Sequence, residues 1–133
     1  MEYTHVMSMQ VRDYECDVQG LVNNSVYQNY LEHARHTFLH TQGVDFAELA
    51  RNQVNLVVIK VELEYKRSLR PGDEFWIGTR LERVSRLKFQ FMQDIFLKPD
   101  DTLVLKGIVT GTSVSGNGRP MVPQQLAHLF DKI

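Results

Sequence analysis

A single cysteine, Cys16, in 133 residues excludes an intrachain disulfide, and no grouping of it with the five histidines has zinc-binding spacing. Charge of one sign is also missing. Fifteen Lys and Arg against 16 Asp and Glu leave a net charge of −1, so there is no bulk basic field of the kind that draws nucleic acid. Apolar runs such as Leu56 to Ile59 are far too short to span a bilayer. The chain does not open on a basic stretch followed by an apolar one, because Met1 to Gln10 alternates polar and apolar residues. Internal repeats, linkers and low-complexity segments are absent as well. These absences predict a soluble, cytoplasmic protein with no structural metal, no membrane segment and no nucleic-acid partner. The 43% hydrophobic content predicts one domain, 1–133, able to bury a real core.

The most informative stretch runs from Asp13 to Arg35. A short acidic loop closes at Gly20, passes through Leu21 and Val22, and opens a long helix at Asn23/Asn24. Asn is a favoured N-cap because its side-chain oxygen accepts a free N–H of the first turn. Tyr27, Tyr30, Leu31, Ala34 and Phe38 then recur at three- and four-residue steps, which is one buried helical face. Gly43 is placed as the helix stop, and Asp45 as the cap of a short second helix ending at Arg51.

From there the period changes to two. Val57, Ile59, Val61, Leu63 and Tyr65 are expected on one face of a strand, with charged residues on the other. Arg70-Pro-Gly-Asp73 is a turn in which Pro presets φ and Gly accepts positive φ. Phe75, Ile77, Thr79 and Leu81 form one side of the next strand. A further one carries Phe89, Phe91 and Ile95 around a polar Gln93, and Leu103 to Ser115 gives the last. Pro123 opens a terminal helix using Leu126, Leu129, Phe130 and Ile133. Four consecutive strands with tight turns predict an antiparallel meander covered by the long helix, an α+β fold.

Asp17 has two readings. An Asp before a Gly turn commonly bonds its own loop. It can also act as nucleophile or general base beside the donors and partial positive charge of a helix N-terminus. Gly20 would admit a ligand close to the backbone, and the N–H of Asn24 would face a thioester carbonyl. Spacing alone does not separate these readings. Cys16 is read as a small thiol with no His beside it, and His36 and His40 as a solvated helix face.

The pattern Asp17-x-x-Gly20-x-Val22-x-x-x-x-Tyr27, followed by Tyr30-x-Glu32-x-Ala34-Arg35, resembles the signature of hotdog-fold acyl-CoA thioesterases of the 4-hydroxybenzoyl-CoA thioesterase type. The resemblance implies a single hotdog domain, a curved antiparallel sheet wrapped around one long helix. It implies hydrolysis of an acyl-CoA partner, coenzyme A being part of the substrate and no separate cofactor being needed. Asp17 is then nucleophile or base and the Asn24 N–H the oxyanion donor, with Gly20, Val22, Asn23 and Tyr27 about the substrate. Arg83, Arg86 and Lys88 lie where CoA phosphates sit in such proteins, against the plainer reading of a solvated strand end. Leu21 stands where many relatives have His, and Asn23-Asn24 replaces an aromatic pair, which points to a different, aliphatic acyl group. Hotdog domains pair as homodimers or homotetramers, so the neighbouring subunit is expected to complete the site. The alternatives are an acyl-carrier-protein thioesterase and a non-catalytic acyl-CoA-binding protein.

Overall fold

The protein is described from a computed structural model, in which residues 2–130 are described. The elements are β1 (His5–Gln10), a 3-10 turn (Asp13–Glu15), α1 (Asn24–Thr41), α2 (Phe46–Arg51), β2 (Asn55–Tyr65), β3 (Glu74–Arg83), β4 (Phe89–Leu97), β5 (Thr102–Val114) and α3 (Gln124–Phe130). Ile133, expected on the last helix, lies outside the described residues.

The predicted punctuation holds at the ends of α1 and α2, with one exception. Gly43 takes φ +84°, and its N–H reaches the carbonyl of His40 while that of Val44 reaches Leu39. That pair of bonds is the glycine-dependent motif that satisfies the last carbonyls of a helix. Asp45 caps α2 by accepting the Glu48 N–H at 3.1 Å. Asn23 does occupy the cap position of α1, but its side chain makes no capping bond. The expectation that an Asn oxygen satisfies the first turn is therefore corrected.

All strand pairings are antiparallel, and the sheet order is β1-β3-β4-β5-β2. The expected four-strand meander is thus only three strands long, because β2 pairs with β5 and not with β3. Arg70–Asp73 belongs to a crossover that carries the chain from one edge strand to the interior. This segment is anchored as it passes: Leu69 donates its N–H to the Tyr27 hydroxyl and accepts the N–H of Val22, and Gly72 bonds Val11. A second correction concerns β2. Its register shifts between Val58 and Lys60, and an extra residue in a strand exchanges its faces. Leu56 accordingly packs on the core, while Val57 and Ile59 do not continue the face of Val61 and Leu63.

The long helix lies along the sheet face built by Phe75, Ile77, Leu81, Phe91, Ile95, Leu105 and Val109, all buried. It presents the predicted stripe, Tyr27, Tyr30, Leu31, Ala34 and Phe38, together with Leu39. The core falls into two parts: one beneath the first half of α1, the other beneath its second half, where α2 and α3 close over Leu81, Phe89 and Phe91. Leu126 and Leu129 seal that end, as their spacing predicts.

Candidate active site at the start of the long helix

The loop carrying Asp17 is determined by short-range bonds. Its Oδ1 accepts the N–H groups of Gln19 at 2.9 Å and Leu21 at 3.1 Å. The Asp17 N–H donates to the Leu21 carbonyl, and the Gly20 N–H to that of Asp17. Gly20 takes φ +76°, a left-handed conformation that costs a Cβ-bearing residue and suits this tight closure. Asp17 is therefore a loop-former in one of its oxygens. Oδ2 takes neither bond, and the residue is exposed.

A second set of contacts ties this loop to the helix. The Cys16 and Val22 backbones bridge, and the Asn23 N–H donates to the carbonyl of Glu15. The Glu15 carboxylate accepts the Tyr30 hydroxyl at 2.8 Å and the Arg12 N–H at 2.8 Å, and pairs with the Arg12 guanidinium at 3.2 Å. Burial, and then the bond to Glu15, push the Tyr30 phenol well above its usual range, so it stays a donor. The start of α1 is thus braced from beneath. No side chain caps its first turn, and Asn23, Asn24 and Ser25 are exposed.

Placement of the remaining predicted residues is uneven. Gly20, Asn23 and Asn24 lie with Asp17. Val22 and Tyr27 are adjacent but buried, at 5% and 2% exposure, and the Tyr27 hydroxyl is engaged by Leu69. They form the floor of the site. Arg83, Arg86 and Lys88 lie at the opposite end of the sheet. The Arg83 guanidinium donates to the carbonyls of Ser85 and Arg86, closing the β3–β4 turn. From Glu74, where β3 starts near the Asp17 loop, to Arg83 is roughly 30 Å of strand. One chain therefore does not bring that cluster to Asp17. Arg67 and Arg70, which flank Leu69 in the crossover, lie nearer this end, and both are exposed.

Burial, and then the carboxylates of Asp17, Glu15, Asp13 and Asp73, push the Cys16 thiol up. A thiolate is therefore disfavoured, in keeping with a non-nucleophilic cysteine. Among the described residues, no three His, Cys, Asp or Glu side chains converge as a metal site requires. No described helix is long and apolar enough to cross a membrane.

Sequence reasoning overlooked one polar group in the core. Gln93 is wholly buried on β4 beneath α1. Its Nε2 donates to the Leu31 carbonyl at 3.0 Å and to the Thr79 hydroxyl at 3.2 Å, and its Oε1 accepts from Arg35 at 3.1 Å. The helix is pinned to the sheet at its middle by this side chain. The visible signal was a polar residue interrupting an apolar alternation.

Residues 11–130 match the thioesterase-like superfamily. The chloroplastic acyl-acyl carrier protein thioesterase ATL2 of Arabidopsis thaliana is 33% identical over 127 residues, 95% of this chain and 68% of that protein. The long-chain acyl-CoA thioesterase FadM of Escherichia coli is 28% identical over 102 residues, 77% of this chain and 76% of its own. A crystal structure of a hypothetical protein from Aquifex aeolicus superposes with a TM-score of 0.86 at 29% identity, covering 95% of this chain and 98% of that one. With a matching profile over nearly its whole length and the same layered architecture, the chain belongs to the thioesterase-like superfamily and is a thioester hydrolase of hotdog fold.

Proposed function

We propose that the protein hydrolyses acyl-CoA thioesters, with Asp17 as nucleophile or general base and the Asn24 N–H as oxyanion donor. The observation that carries this reading is the division of labour at Asp17. Loop amides hold Oδ1 and leave Oδ2 for chemistry beside an uncapped helix start. Attack at the thioester carbon, by Oδ2 or by water it deprotonates, pushes charge onto the carbonyl oxygen. The helix N–H and the partial positive charge of the helix terminus stabilise that oxygen, a donor of this kind being worth about 10²–10³ in rate. Collapse of the tetrahedral adduct breaks the C–S bond and releases a thiolate, which needs no strong acid to depart. When water attacks, this gives the free acid directly. When Oδ2 attacks, water then cleaves the acyl–Asp17 anhydride to release the acid and restore the carboxylate.

In this reading two copies pair through β2. That edge exposes Val57, Val58, Ile59, Val61 and Tyr65 at 37–47%, a long apolar edge that would otherwise recruit other chains. Antiparallel self-pairing would place the partner's β2-start end of the sheet, with its Arg83–Lys88 turn, on the side of Asp17. Phosphate binding by those residues thus becomes a property of the pair.

A second reading, hydrolysis of acyl-carrier-protein thioesters at the same site, is favoured by the similarity to ATL2. Thiol release from matched acyl-CoA and acyl-carrier-protein substrates separates the two. Asp17→Asn tests the common chemistry, because the amide oxygen can still accept the Gln19 and Leu21 bonds. The variant is expected to stay folded and lose on the order of 10²–10⁴ in kcat. Unchanged turnover would move the chemistry off Asp17.

A further inference from the structure

Residues 15–23 form a small closed loop with Asp17 towards its tip. The Glu15 carbonyl accepts the Asn23 N–H at 3.2 Å and the Leu21 carbonyl accepts the Asp17 N–H at 2.9 Å, with the Cys16–Val22 bridge between them. These backbone bonds fix the shape of the loop. They attach it to α1 at one place only, Asn23, the residue before the helix. A body held at a single point can pivot, so its shape alone does not set where Asp17 stands relative to the Asn24 N–H.

A side chain supplies the second point. Glu15 Oε1 accepts both the Tyr30 hydroxyl and the Arg12 N–H at 2.8 Å, while Oε2 faces the Arg12 guanidinium at 3.2 Å. Tyr30 lies about 9 Å further along the helix than Asn24. Its ring is a rigid anchor, being 2% exposed, 4.8 Å from the ring of Phe75 and 6.3 Å from that of Tyr27. Through Arg12 the same oxygen is tied to the segment leaving β1, where Val11 is buried and donates its N–H to the Asp73 carbonyl. The loop is therefore held to α1 at its start and again well into its second turn.

The other carboxylates around Cys16 are placed differently. That of Asp17 bonds Gln19 and Leu21 in its own loop, that of Asp73 accepts the Arg70 N–H at 2.9 Å, and Asp13 is exposed. The Glu15 side chain is 11% exposed with both oxygens engaged, which suits a fixture and not a base.

We infer that Glu15 is a positioning residue for hydrolysis. Through Tyr30 it holds the Asp17 loop in register with the start of α1, so that the carboxylate and the helix N–H meet one thioester carbonyl. The inference rests on the thioesterase reading of Asp17 and deepens it. Misplacing a reacting group by about 1 Å costs on the order of 10²-fold in rate.

The convergence of two bonds on Oε1 gives a discriminating pair of variants. Glu15→Gln keeps that oxygen as an acceptor and removes the charge, whereas Glu15→Ala removes both. With octanoyl-CoA as substrate, Glu15→Ala should lower kcat roughly ten- to a hundredfold and leave KM within about twofold. Tyr30→Phe, which deletes only the hydroxyl, should lower kcat roughly tenfold. Glu15→Gln should recover most of the loss; a fall equal to that of Glu15→Ala overturns the inference, because the charge and not the bond would then matter. Asp45→Ala, which removes the cap of α2, controls for stability. It should lower the melting temperature and keep kcat, and a kcat loss matching that of Glu15→Ala also overturns the inference. If wild type releases no thiol, or Asp17→Asn keeps the full rate, the thioesterase reading fails by itself. Backbone amide exchange then decides Glu15. Exchange at Gln19 and Leu21, whose N–H groups hold Asp17, should quicken about tenfold in Glu15→Ala and Tyr30→Phe but not in Glu15→Gln; unchanged protection in Glu15→Ala overturns the inference.

Discussion

The two edges of the sheet solve the same problem in different ways. β1 is six residues long, alternates exposure along its length and leaves only Val6 among its large apolar residues exposed. Polar side chains also tie it to neighbouring segments. Lys98 donates to Ser8, and Gln10 reaches across to the carbonyl of Gly72. β2 is eleven residues long and exposes apolar side chains on both sides of its bulge. A short, alternating edge ends a sheet; a long apolar one continues it. The two edges also differ in what they border. β2 touches Tyr27 of α1 through Tyr65 and lines a cavity under the second half of α1 with Asn55–Val58, whereas β1 packs Met7 and Met9 on the core beneath the first half of α1 and does not line that cavity.

The largest way to break this contrast is a charge in the middle of β2. Under the proposed pairing through β2, Ile59→Lys should convert a dimer to a monomer in sedimentation and abolish thioester hydrolysis, since each site would then lose its neighbour. Val6→Lys, the matching change on β1, should leave assembly unchanged and shift stability by no more than about 0.5 kcal/mol. Equal effects from both substitutions would remove the distinction between the edges.

A smaller effect is expected between the edges, at Gln93. Gln93→Leu removes the pin between β4 and α1 and leaves Arg35 and the Leu31 carbonyl without their partner. Burial already holds the Arg35 guanidinium below its usual range, so it depends on such contacts. Thermal or urea unfolding should show a loss of about 1–3 kcal/mol, with the proposed pairing through β2 unaffected.

The smallest effect belongs to β1. Burial alone holds the His5 imidazole below its ordinary 6.5. Its Nδ1 is buried with no hydrogen-bond partner among the described residues, and its ring lies 5.7 Å from that of Phe38. On acidification the unfolded chain takes up this proton first. The contribution of neutral His5 is therefore complete above about pH 6.5 and is lost as pH falls below it toward the depressed folded value. His5→Phe should flatten the dependence of the melting temperature on pH across this window. An unaltered slope would assign the acid sensitivity to other groups.

Much of this architecture is legible in the sequence because it depends on local physics. The stripe on α1, the stop at Gly43, the cap at Asp45 and the inward face of β3 follow from periodicity and turn chemistry, which act over a few residues. The loop at Asp17 is legible for the same reason, since its bonds join residues 17 to 21. The Asn23 cap failed because a cap side chain can be left idle when the fold braces the helix start through Glu15 and Tyr30. The meander failed because strand order is a long-range choice: β2 and β5 meet across some fifty residues of chain, and no turn signal encodes that pairing.

By itself, then, the sequence indicated an α+β fold with an acidic residue at the head of a long helix, and the motif in that stretch carried the resemblance to thioesterases. Each of those features rests on residues that are neighbours along the chain. Tertiary structure decided which edge of the sheet stays open, where Arg83–Lys88 lie relative to Asp17, and that an apolar cavity sits behind β2. Those are consequences of strand order and of one bulge, and both emerge only when distant segments pack against each other.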